Sequence, residues 1–199
     1  MIPTLSIVFM AISALVSIGL PIALGIILHK RTGAKASSLF IGAAAFVVFA
    51  MILENICHRL VLYGSGSCAA FMQSNLWAYG LYGALAAGVF EETGRLCAFK
   101  LFFKKKDDRC EGVMYGIGHG GVEAVMVSGL TMISYIAISA IINLSGGMAG
   151  LTVLGIGEDT ASVLMTAFTG TNPFMSLVSG IERIMAMAFC RRKWVRYSE

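Results

Sequence analysis

No aspartate, glutamate, lysine or arginine precedes Lys30 in this chain, and a soluble fold has no use for so long an uncharged run. A bilayer core is crossed by about 20 predominantly apolar residues in a helix, and in lipid the backbone must satisfy its own hydrogen bonds, which a helix does within one segment. Four segments meet the length requirement well: 5–28, 37–56, 75–103 and 113–144. A fifth, 174–190, is shorter. The stretch 146–172 is partly apolar but contains Glu158 and Asp159 and is broken by Gly155, Gly157, Gly170 and Pro173, so it reads as an interfacial or re-entrant segment. The expectation is an all-α polytopic transmembrane helix bundle of about five membrane spans plus that segment, in a single membrane-embedded domain over 1–199.

Composition agrees. Charged residues make up 13% of the chain and hydrophobic ones 57%, whereas soluble domains carry charge on about a quarter of their residues. Lys30 and Arg31 follow the first apolar run instead of preceding it, the wrong polarity for a cleaved signal peptide, so that run is expected to remain a membrane helix. The net charge of +4 does not point to nucleic acid, because the basic residues fall in short clusters between apolar runs. The five cysteines follow no CxxC spacing and imply neither a disulfide framework nor a zinc knuckle.

The basic clusters set the topology. With five alternating spans, one side receives Lys30, Arg31, Lys35, Lys100, Lys104, Lys105, Lys106, Arg109, Arg191, Arg192, Lys193 and Arg196, and the other side receives Arg59. Lys and Arg accumulate in cytoplasmic loops, which predicts the N-terminus outside and the C-terminus in the cytoplasm. Membrane lipid is then an obligatory partner.

Arg95 and Arg183 are left inside apolar runs. Uncharged residues fill the third span from Asn75 to Phe90, and then come Glu91, Glu92, Thr93, Gly94 and Arg95. Each charge at mid-bilayer depth costs about 2.5 to 3.5 kcal/mol on insertion scales, so the cluster must face a partner or a cavity. Arg95 can reach Glu92 at i,i+3 or Glu91 at i,i+4, and one guanidinium hardly neutralises both. The fourth span answers with Tyr115-Gly116-Ile117-Gly118-His119-Gly120-Gly121-Val122-Glu123. His119 and Glu123 share a face, while Gly116, Gly120 and Gly121 permit close helix approach. At 1.5 Å rise per residue, Glu92 lies about 16 Å from the cytoplasmic helix end, Arg95 about 12 Å, His119 about 10 Å and Glu123 about 16 Å. Glu182 and Arg183 of the fifth span fall at about 11 to 12 Å on the same count. Carboxylates competing for one arginine beside an imidazole suit the activation of water by glutamate, with the imidazole steadying an oxyanion.

At these residues the sequence resembles the YhfC family of bacterial membrane proteins, glutamic-type intramembrane proteases related to the CAAX-processing and PrsW-like membrane peptidases. The resemblance rests on Glu91 to Arg95 (EExxR), on Gly116 to Glu123, and on Gly180-Ile181-Glu182-Arg183-Ile184. It implies a hydrolase of the bacterial cell membrane that cleaves a peptide or membrane-protein substrate. It further implies Glu91 as general base, Glu92 held by Arg95, and His119 positioning water or oxyanion, with Glu123 beside them and Glu182 and Arg183 in support. The family pattern also leads one to expect further apolar sequence after Glu182, whereas Phe189 is followed by Cys190, Arg191, Arg192 and Lys193, an apparent C-terminal shortening.

Alternatives remain at this level. A Glu/Arg cluster also serves as a clamp between helices, a lone buried histidine more often packs than reacts, and Glu123 suits a second clamp as well as it suits orienting His119. A proton- or cation-coupled transporter would bind its ion with the same carboxylates, and an inactive scaffold or partner subunit would keep them as structure. No cofactor is required by the glutamate mechanism. The metal alternative is zinc on His119, Glu123 and Glu91, although an open zinc site usually has more than one histidine or a thiolate.

Overall fold

The computed structural model describes residues 1–103, 109–153 and 155–196, with side chains as far as residue 186. The basic loop residues Lys104, Lys105 and Lys106 lie outside the described residues, as do the side chains of Arg191, Arg192, Lys193 and Arg196. Every regular element among the described residues is helical: α1 (Thr4–Thr32), α2 (Ala36–Val61), α3 (Ser67–Ser74), α4 (Leu76–Phe102), α5 (Arg109–Leu144), α6 (Met148–Val153), α7 (Glu158–Gly170) and α8 (Phe174–Arg196). Three of these, α1, α2 and α5, are by themselves long and apolar enough to cross a membrane. Helix α4 is as long, with 27 residues, and is interrupted by the charges of the Glu91 to Arg95 cluster. The 13 residues of α7 extend only about 20 Å, short of a hydrocarbon core of about 30 Å.

Local signals place the helix ends. Helix α1 stops where Gly33 takes φ +73° and its N–H returns to the His29 carbonyl at 2.9 Å, a left-handed stop that glycine adopts without a steric penalty. Asn75 starts α4 by accepting from the Trp77 and Ala78 N–H groups, both at 3.1 Å, as N-cap residues do. Helix α2 is wound as π-helix over Val47–Glu54 and α5 over Ala124–Gly129. Such insertions are rare and cluster at functional sites.

The chain forms two compact units. The first holds Met1–Leu24 and Glu123–Phe189. Its core contains Met10, Met132, Ile142, Leu151 and Phe168, and its helices are also joined by serines. Ser13 donates to the Ser176 carbonyl at 2.5 Å, Ser17 to Ser128 at 3.0 Å, and Ser128 pairs with Ser179 at 3.2 Å. Gly180 packs directly on Ser13. Small residues inside let helices approach and hydrogen-bond in a medium that offers no hydrophobic drive between them.

The second unit holds Gly25–Val122 with the C-terminal Cys190–Glu199. Here α2 crosses α5 backbone against backbone. A Cβ on Gly42 would overlap the Tyr115 carbonyl, and one on Gly118 would overlap that of Leu39. Meanwhile Phe40, Leu60, Leu85 and Leu101 are exposed at 59% or more, the outward apolar face of a protein solvated by lipid.

Candidate active site

In the second unit α4 supplies the acidic cluster. Arg95 is buried at 6% exposure and donates to Glu92 at 2.5 Å, the i,i+3 pairing expected from the sequence. Glu91 is half-buried one residue earlier. Gly94 makes room for this stretch, since Phe49 of α2 lies where its Cβ would be.

Helix α5 brings His119 to that cluster. The imidazole is 2% exposed, edge-on to Phe46 at 5.2 Å and stacked with Tyr115 at 6.0 Å, with Arg95 and Glu92 near enough to influence it electrostatically. No described residue hydrogen-bonds either of its ring nitrogens. A buried polar group without a partner costs on the order of 1 to 3 kcal/mol, a cost that a hydrogen-bonding group brought to His119 would relieve.

Glu111 ties α5 to the start of α2. Its carboxylate accepts from the Lys35 N–H at 2.9 Å and from the Ser38 hydroxyl, capping α2 two turns upstream of His119. Sequence reasoning passed over Glu111. The available signal was an acidic residue at the depth where the second span begins, with Lys35 and Ser38 opposite.

The remaining predicted residues belong to the first unit. Glu123 accepts from Arg183 at 2.6 Å, and Arg183 also pairs with Glu182 at 3.0 Å. Gly42 and Gly118 are two small residues that lie directly at the α2 and α5 crossing. Glu54 keeps a side chain only 12% exposed and stands 3.3 Å from His58. His58 in turn meets the Tyr82 hydroxyl at 3.1 Å, and that hydroxyl donates to Cys57 at 3.4 Å.

With this arrangement in view, comparison with known proteins is decisive about kinship. A family model described as YhfC intramembrane metalloprotease matches residues 13–190. The chain belongs to the YhfC family. It is 38% identical over 183 residues to the uncharacterized membrane protein YhfC of Bacillus subtilis (strain 168), a match covering 92% of this chain and 70% of the relative. No solved structure matches it. This YhfC protein is thus an integral membrane protein of a protease family.

The family description names a metal, and the residues can be tested against one. A catalytic zinc site has three protein ligands and an open position. His119 offers a nitrogen donor with nothing on it, yet among the described residues no three His, Cys, Asp or Glu side chains group closely enough to hold an ion. Within the described part of the chain the donor set does not fit a zinc ion.

Proposed function

We propose that the Glu91, Glu92, Arg95 and His119 group is the hydrolytic site of a glutamate-type membrane peptidase. Glu91 acts as general base, taking a proton from water as the oxygen attacks the carbonyl carbon of a peptide bond. The developing oxyanion accepts a hydrogen bond from the His119 ring, and the proton held by Glu91 passes to the leaving amine as the C–N bond breaks. Arg95 holds Glu92 and keeps the acidic layer at a fixed depth. One observation carries this reading: an imidazole that is 2% exposed, with both nitrogens unpartnered among the described residues, beside a Glu92–Arg95 pair.

The proposed substrate is a peptide or membrane-tethered protein that reaches this layer from the cytoplasmic leaflet of a bacterial cell membrane. The proposed topology has five spans, with the N-terminus outside and the C-terminus in the cytoplasm. In purified protein reconstituted into vesicles, Glu91→Gln is expected to abolish peptide cleavage and to leave membrane insertion intact. Equal cleavage by wild type and Glu91→Gln would overturn the assignment. Proton flux through the vesicles without any proteolysis would favour a transporter.

A further inference from the structure

The second unit contains a cavity that the proposed chemistry does not use. It has a volume of about 560 Å³ and runs between α2 and α4, from Ser37 and Phe102 at one end to Phe49 and Gly94 at the other. The walls are apolar, formed by side chains such as Phe40, Ala44 and Val48 of α2 and Ala98 and Leu101 of α4. Along α4 the span from Gly94 to Phe102 is about 12 Å. The cavity's side is open along Phe40 and Leu101, which are exposed, so the medium at its mouth is lipid hydrocarbon. An extended peptide is poorly suited, because the Ser37 hydroxyl and the Cys97 thiol are the polar side-chain groups on the wall, and buried backbone N–H and C=O groups need partners. The shape and chemistry suit hydrocarbon chain.

Charge then orients the occupant. The Ser37 and Phe102 end is the end where α1 finishes with Lys30 and Arg31, where Lys35 precedes α2, and where α4 finishes with Lys100. All four are exposed. Among the described residues the acidic one at this end, Glu111, is engaged by the Lys35 N–H and Ser38. The opposite end lies against Gly94, within the Glu91 to Arg95 stretch. An anionic headgroup belongs at the lysines and the hydrocarbon end at Gly94. We propose that this cavity binds an acyl chain of an anionic phospholipid, with its headgroup at Lys35 and Lys100 and its chain end against Phe49 and Gly94.

The test uses the purified full chain, given equal amounts of phosphatidylglycerol and phosphatidylcholine, with retained lipid counted by native mass spectrometry. Alkylation of Cys97 by N-ethylmaleimide, followed at the peptide level, provides a second readout. Wild type is expected to retain phosphatidylglycerol in preference, and that lipid is expected to slow Cys97 alkylation. A basic side chain near anionic lipid contributes on the order of fivefold in affinity, so Lys35→Gln with Lys100→Gln should erase most of the preference while some of either lipid stays bound. Ala44 is exposed on the cavity wall, so Ala44→Trp fills the space without entering the core and should abolish retention; Ala44→Leu serves if the tryptophan variant does not insert. Equal retention of both lipids by wild type would overturn the proposal. So would undiminished phosphatidylglycerol on a monodisperse Ala44→Trp protein, or Cys97 alkylation that lipid does not slow.

Discussion

Glu111 offers the sharpest stability test, because it holds α2 and α5 together through contacts that a single substitution removes. In Glu111→Ala the Lys35 N–H and the Ser38 hydroxyl both lose their acceptor. Hydrogen bonds to a charged group contribute about 1.5 to 3 kcal/mol each. The Lys35 bond is only part-buried, so the lower figure applies and the pair together is worth about 3 kcal/mol. For a chain of 150 to 250 residues, 1 kcal/mol moves Tm by about 2 to 4 °C, so Glu111→Ala should melt roughly 6 to 12 °C below wild type. Glu111→Gln keeps a carbonyl acceptor for the N–H and loses the charge at the α2 N-terminus, and should fall by about half as much. Intrinsic fluorescence during a thermal ramp, with all proteins in one detergent, measures both. A Glu111→Ala protein within about 1 °C of wild type would show that the carboxylate is not what ties these helices.

Three further outcomes follow from the same geometry. Arg95→Ala removes the charged hydrogen-bond partner of Glu92, whose side chain is 45% exposed, and should cost about 1.5 to 3 kcal/mol; the yield of inserted protein should drop together with cleavage, and normal yield would argue against the pair. Gly118→Val should push α2 from α5 at the Leu39 carbonyl, costing about 1 to 3 kcal/mol or more, visible as a lowered Tm in the same assay. Chelator should leave cleavage unchanged; activity lost to chelator and restored by zinc would refute the metal-free mechanism.

The pairing of Glu92 with Arg95 was legible in the sequence because the contact is local. Glu92 and Arg95 lie on one helix three residues apart, and the backbone alone puts them in reach. His119 stood out as an imidazole among glycines at a depth where apolar side chains are the rule. The choice of partner for Glu123 was not legible, since Arg183 is sixty residues away and helix periodicity says nothing about which helix stands opposite. The same limit hid Glu111, whose role is defined by Lys35 and Ser38, and hid Gly42 as the counterpart of Gly118.

By itself the sequence settled that these are membrane helices and which polar groups share a turn, because hydropathy over about 20 residues and a repeat of 3.6 residues are properties of the chain alone. Tertiary structure decided the partners. It set Glu123 against Arg183, capped α2 with Glu111, and closed Phe46 and Tyr115 around His119. The physical reason is that a helix offers several faces of similar character, and only packing between backbones selects which face meets which neighbour.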